Sequence, residues 1–452
     1  MAKSAQDIVQ LIDERGIEYI KVGVFDIDGV LRGKYLKKDK FLSALDTGFG
    51  FCDVVLGWDS NDQLYDNVKF TGWHTAYPDA PVRLVPDSAR ELPLEPDTLL
   101  VLGEFTGAAE KLCPRGVLRR VLERADAMGL AVQAACEYEF FLFEETPHSV
   151  REKNYQSLKS VTPGFFGYSV LRNSVHAEIY HDLLRLCQEM EMPLEGLHTE
   201  TGPGVIEAAL LHDTALAAAD NGALFKTFTK VWAQRLDMMA TFMAKWSSEY
   251  PGQSGHIHIS LQHKDSGANA FYDAGEAQGM AAVQRWFVGG QQQLMPEFLA
   301  MVASTVNSYR RMVPGMWAPL DATWGIENRT CALRVIPGGE KSQRVEYRIA
   351  AADMNPYLAM AAAIASGLQG IEDKIEPTAA VVGNAYDQTH PGALRLPQTL
   401  YEAAERLRDS AAARALFGSE FVEHFSQTRI WEEREFRKAV TDWELQRYFE
   451  II

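Results

Sequence analysis

The chain has 452 residues, 47% hydrophobic and 23% charged, with a formal net charge of −17. That length fits two unequal domains, or one domain with a large insertion, and leaves room for a buried active site, while the acidic balance speaks against nucleic acid or an anionic membrane as partner. Five cysteines, an odd count with no CxxC pair, speak against a disulfide framework or a thiolate zinc site and point to the reducing cytoplasm.

MAKSAQDIVQLIDERG spaces Ile8, Val9, Leu11 and Ile12 among charges, which predicts an amphipathic helix rather than a secretory signal. Residues 18–36 alternate β-branched and aromatic side chains around a glycine-containing turn, a hairpin signal, and a helix with Phe41 and Leu42 follows. The Asp-, Pro- and Gly-rich stretch 60–97 reads as irregular before DTLLVLGEF resumes strand character, and a boundary near residue 110 closes this small α+β unit. PRGVLRRVLERADAMG predicts a helix that starts at Pro114 and ends at Gly129. The strand AVQAACEYEFFLFEE follows, with later strands at PLEGLHTE, SGHIHISL, CALRVIP and QRVEYRIA. Helices are predicted over 173–192, 213–243, 280–302, 355–371, 400–408 and 430–448. The apolar run 357–371 is short for a bilayer and follows Asn355-Pro356, so it reads as a buried helix and no membrane segment is expected.

Strand alternation in CEYEFFLF puts Glu137 and Glu139 on one face, where an apolar run makes them costly to bury unless a hard divalent cation lies between them; an exposed strand face explains the pair equally well. Glu200 and Glu207 bracket the turn TGPG, and GHIHIS sets His256 and His258 on one face, for metal or nucleotide or simply as satisfied core histidines. In QRVEYRIA, Arg344, Glu346 and Arg348 share a face, with Arg310, Arg311, Arg329 and Arg334 just upstream. Arginines clustered in so acidic a chain suit a carboxylate or phosphate ligand, and together with the acidic groups they suggest metal-assisted phosphoryl transfer onto a carboxylate.

CPRGVLRR, CEYEFFLF, ETGPGVIE, SGHIHISL, NSYRRMVPG, ENRTCALRV, QRVEYRIA and DMNPYLAMAAA, in this order over nearly the whole chain, resemble the glutamine synthetase superfamily. The resemblance implies an α+β fold: an N-terminal β-grasp domain over 1–110, and a catalytic domain over 111–452 whose curved antiparallel sheet is flanked by helices. It implies Glu139, Glu200 and Glu207 as ligands of the metal nearest glutamate, and Glu137, His256 and Glu346 as ligands of the nucleotide-phosphate metal. Arg311 and Arg334 resemble substrate and phosphate-site arginines, Arg329 and Arg348 those that contact the transferred phosphate or glutamate, and His258, Ser260 and Arg344 the nucleotide site. The implied reaction uses ATP and two or more Mg²⁺ or Mn²⁺ ions per site to form a γ-glutamyl phosphate, which an amine then converts to an amide. Stacked rings, usually of twelve subunits, with sites at subunit contacts are implied as well.

Ammonia-using members carry a glutamate on the flap that matches VPGMWAP, where this chain has Trp317; the aromatic replacement fits an organic amine, as in the γ-glutamyl amine and polyamine ligases. GFGFCDVV aligns Asp53 with the aspartate that takes the acceptor's proton, and Trp317 with Trp58 favours an apolar amine over a diamine. Val205 and Gln253 depart from the family pattern near the glutamate pocket. Rival readings are a true ammonia-using glutamine synthetase, a non-catalytic scaffold, and a haloacid dehalogenase-type phosphatase. The last is suggested by VFDIDGVL, but its later acidic motif is missing, so Asp26 and Asp28 are expected to shape a hairpin.

Overall fold

The alternating residues near the start form a hairpin, Tyr19–Phe25 against Leu31–Lys37, in a computed structural model that describes residues 3–452. The Asp26 carboxylate is buried in its turn, accepting from the backbone N–H groups of Asp28 at 3.0 Å and Val30 at 2.8 Å and from Arg32 Nε at 2.8 Å. Gly29 supplies the left-handed conformation, φ +80°, that closes the turn. With its oxygens committed to the turn, Asp26 is not a free nucleophile and plays the hairpin role expected of it, whereas the Asp28 carboxylate pairs outside the hairpin, with Arg429.

Three more strands complete a five-stranded sheet in the order Leu31–Lys37, Tyr19–Phe25, Leu99–Phe105, Asp79–Glu91, Phe49–Cys52, with a parallel pair at Tyr19–Phe25 and Leu99–Phe105. The helices Ala5–Arg15, capped by Ser4, and Lys38–Thr47 contribute Ile8, Ile12, Phe41 and Ala44 to its core. The stretch 60–97 departs from its irregular reading, because residues 79–91 form a strand paired on both edges. Pro86 concealed it. This proline lies in the register break between Val85 and Arg90, where no ladder N–H is needed.

The second sheet curls into a half-barrel of nine strands. Its main path runs Trp324–Ile326, Leu333–Ile336, Arg344–Tyr347, Gly255–His263, Leu130–Phe143, Val205–Leu210, Leu194–Thr199, and two short strands, Met239–Thr241 and Asp213–Thr214, pair with Leu130–Phe143. Every pairing is antiparallel except that of the first two strands. The helices Ala215–Arg235, Ala282–Phe298 and Pro356–Asp373 back the sheet, and the last is buried over most of its length, as its apolar run predicts. Among the described residues no helix is long and apolar enough to cross a membrane.

Three predicted helices have different bounds. Residues 173–192 hold two helices, Val170–Val175 and Ala177–Glu189, broken where His176 has a non-helical backbone. The helix from 213 stops at Arg235, since Asp237 at φ 54° turns the chain into Met239–Thr241. Residues 430–448 span the end of Ser419–Phe436 and a separate Asp442–Tyr448, opened by a capping box between Thr441 and Glu444.

Two contacts tie the hairpin to the second sheet's helices. Arg429, fully buried, donates to Asp28 Oδ1 at 2.6 Å and to the Ser304 carbonyl at 2.7 Å. Asn355 caps the helix Pro356–Asp373 through Tyr357 N–H and donates its amide to the Ile27 carbonyl at 3.2 Å. An unpaired buried guanidinium is costly, so Asp28→Ala should destabilise the fold by about 3–5 kcal/mol. Denaturant unfolding checks this, and a change under about 1 kcal/mol would mean that Glu432, 3.6 Å from Arg429, already balances the charge.

Candidate active site

The register of the curved sheet brings chemistry-bearing residues together across six strands. Glu137 lies opposite His256, His258 and Arg334 opposite Glu346, and Glu207 opposite both Glu139 and His198. Because strand side chains alternate, all of these share the concave face, while Cys136, Tyr138 and Phe140 point into the core.

Glu137, His256 and Glu346 each offer a ligand atom within 4.8 Å of the others, as the family resemblance implied. His256 Nδ1 is 3.1 Å from Glu137 and 3.2 Å from Glu346. Burial, then the Arg348 charge, pulls His256 down to about 4, so the imidazole stays neutral and keeps a lone pair for a cation. Arg334 and Arg348 both donate to Glu346, at 2.9 and 2.5 Å, which sets two guanidinium groups beside this cluster.

A second cluster differs from its expected membership. Glu200 and Glu207 gather with His198, which was not singled out from the sequence, whereas Glu139 turns its carboxylate to Ser254, accepting from its N–H at 3.0 Å and its hydroxyl at 2.5 Å. Glu139 remains Glu207's neighbour in the ladder. Burial works against a charged His198, but its hydrogen bond to Glu207 prevails and raises it to about 9. Tyr168 stacks on this imidazole, ring centroids 4.4 Å apart. Alternation in LEGLHTE already put His198 and Glu200 on one face; nothing local marked Tyr168.

A cavity of about 660 Å³ adjoins the first cluster, and its lining includes all three expected nucleotide residues, His258, Ser260 and Arg344, with Lys341 and Glu195. Arg344 Nε donates to His258 Nδ1 at 3.2 Å, so His258 carries its proton on Nε2, which faces Glu137. Arg311 is buried in the wall beside Glu139 and donates to the Ile349 and Arg348 carbonyls at 3.0 and 3.2 Å. Arg329 is exposed near Tyr168, and Trp317, 59% exposed at φ 57°, stands on the turn after Arg311.

Asp53 and Trp58 are placed apart from these groups. Asp53 is buried at the end of the first sheet and accepts from Thr71 Oγ1 at 2.6 Å; burial raises its pKa above the ordinary aspartate value. Trp58 packs beneath Arg32, 4.9 Å from guanidinium to ring, and so serves the hairpin rather than a pocket wall within its own chain.

Burial, then the charge of Glu207, lifts Glu139 well above the ordinary carboxylate value of 4.5. An acid raised on folding costs stability as pH climbs from its ordinary value toward the raised one, and a cation held by ionised Glu139 reverses that cost by displacing the proton. Calorimetric titration with Mn²⁺ at pH 7, in buffers of different ionisation enthalpy, should show proton release that falls by about one proton in Glu139→Gln. Release unchanged in that variant would assign the proton to another group.

Residues 111–448 match the family model for the glutamine synthetase catalytic domain. The chain is 45% identical to a type-1 glutamine synthetase of Dictyostelium discoideum, over 96% of this chain and 84% of that protein. It is 36% identical to a glutamate–isopropylamine ligase of a Pseudomonas species, over 100% of this chain and 99% of that one. A solved chain from a GmaS/ADP complex superposes with a TM-score of 0.85 at 25% identity, covering both chains in full. Matching family model, near full-length relatives and a shared fold agree: the chain belongs to the glutamine synthetase family of ATP-dependent ligases.

Proposed function

We propose that the chain joins the γ-carboxylate of glutamate to a small organic amine at the expense of ATP. Trp317 carries this reading, because an exposed aromatic ring on the turn that follows Arg311 offers an apolar wall and no carboxylate to hold ammonium. The likeness to a glutamate–isopropylamine ligase over the full chain supports it. Ammonia-dependent glutamine synthesis is the second reading, favoured by the 45% identity to a relative named a type-1 glutamine synthetase.

The cluster of Glu137, Glu346 and the neutral His256, and the carboxylates Glu200 and Glu207 beside Glu139, fit hard divalent cations, Mg²⁺ or Mn²⁺. Such ions, when bound, offset charge between the nucleotide phosphates and the carboxylate they approach. In this reading His258, Ser260 and Arg344 bind the nucleotide in the adjoining cavity, while Arg311 and Arg334 orient glutamate. Arg329 and Arg348 present guanidinium groups to the transferring phosphoryl group, where fixed positive charge is worth most. Glu139, Glu200 and Glu207 hold the ion nearest glutamate, and His198 orients the last two.

The amine must react unprotonated, and Asp53 is the assigned base. Since Asp53 sits away from the clusters of its own chain, it would act in a neighbouring subunit of a ring assembly. A division at residue 110 suits this arrangement: the first sheet lies wholly before it, the second wholly after it.

Phosphate release from ATP with glutamate, assayed across ammonia and organic amines with products identified by mass, tests the function directly. A γ-glutamyl amide formed in clear preference to glutamine is expected, and efficient glutamine formation would favour the second reading. Trp317→Glu should raise ammonia use relative to larger amines, while Glu139→Ala should abolish turnover with every acceptor. Mixing Asp53→Asn chains with Glu346→Gln chains, each inactive alone, should restore activity after reassembly, because some sites then pair an intact Asp53 with an intact cluster; no recovery would place the base within one chain.

A further inference from the structure

The loop between Thr162 and Arg172 lies against the second cluster. Three hydrogen bonds pin it to Thr199, the residue between His198 and Glu200. Tyr168 N–H donates to the Thr199 carbonyl at 2.7 Å, Ser169 N–H to Thr199 Oγ1 at 2.9 Å, and the Thr199 hydroxyl to the Phe166 carbonyl at 2.9 Å. Held this way, Tyr168 adopts φ 54°, uncommon for a residue with a side chain, and lays its ring on His198. The outer face stays open: Tyr168 is 70% exposed, and Phe165, Phe166, Val170 and Leu171 are exposed beside it. Apolar side chains gathered at the edge of a polar cluster mark a surface made to be covered.

The charge carried by the loop itself has one sign. From Gly164 to Arg172 the loop carries no acidic residue. The Arg172 guanidinium lies 4.8 Å over the Phe166 ring, and the charges of Glu200 and Glu207, opposed more weakly by Arg329, act on the Tyr168 hydroxyl. Each ring therefore already has a basic group near it, Arg172 at Phe166 and His198 beneath Tyr168. The carboxylates nearest Tyr168, Glu200 and Glu207, are engaged with His198.

We propose that this aromatic, cationic lip selects as acceptor a monoamine with an uncharged apolar tail and rejects diamines, an assignment that rests on the amine-ligase reading above. An amine whose nitrogen reaches the carboxylate cluster lays its tail along Tyr168 and Phe166. An alkyl or aryl tail there sheds water against apolar surface. A distal ammonium sheds its hydration and stands against Arg172 and Arg329 with no free carboxylate to pair with.

n-Butylamine and putrescine share a four-carbon chain and differ by one distal ammonium, so they isolate this effect. With the full-length protein, ATP, glutamate and Mg²⁺, kcat/KM for n-butylamine should exceed that for putrescine roughly tenfold or more. Arg172→Met and Arg172→Glu, checked for an unchanged melting temperature, should narrow the ratio by lowering the KM for putrescine. Wild-type protein that uses putrescine as well as n-butylamine, or a ratio unmoved in both variants, would overturn the assignment while leaving the amine-ligase reading in place. Glutamine made from ammonia with neither amine accepted would overturn the amine-ligase reading, and this assignment with it.

Discussion

The strand Leu130–Phe143 is paired on both edges, and its register decides where every charged group of the site falls. With Glu137 opposite His256 and Glu139 opposite Glu207, both carboxylates lie on the polar face of the strand, and Glu137 lines the cavity. A slip of one residue would turn them into the layer where Tyr138 and Phe140 pack on Phe225 and Phe242. Burying two carboxylates there costs far more than any local gain, so the apolar face of the strand enforces the polar one. The neighbouring strands inherit their placement from this register, since His258 reaches Glu346, and His198 reaches Glu207, only through ladders built outward from it.

One sheet face thus collects five glutamates, and the chain offsets that charge in two ways. Around Glu346, Arg334 and Arg348 supply permanent positive charge. Around Glu139 and Glu207 the compensation is softer, with an imidazole that can carry a proton and carboxyl groups whose burial favours retaining theirs. Like charges held this close in a folded protein conflict with stability, a conflict that a bound cation would relieve.

The hairpin of the first sheet meets the helices of the second through Asp28–Arg429 and the Asn355 amide, and both contacts are buried. A loop carrying Asp53 therefore leaves a rigidly seated sheet rather than a swinging tail. That would suit the base role proposed for Asp53, which in that reading meets groups outside its own chain's clusters with fixed geometry.

Local pattern made much of this legible. Period two in CEYEFFLF, GHIHIS and QRVEYRIA fixes which residues share a face, because such rules act over a few residues, and the capping box TDWE marks a helix start that the reading of 430–448 as one helix passed over. The family's motifs suggested roles for Arg311, Arg329, Arg334 and Trp317, and the same alternation could have named His198. Tertiary structure alone decided the rest. Pro86 is tolerated in a strand because a register break happens to fall there, Glu139 turns to Ser254 because the chain brings residues 115 apart together, and Tyr168 stands over His198 because three hydrogen bonds fasten its loop to Thr199. None of these follows from neighbouring residues: each depends on which backbone groups another part of the chain leaves free, and that is settled only when the sheets and loops pack.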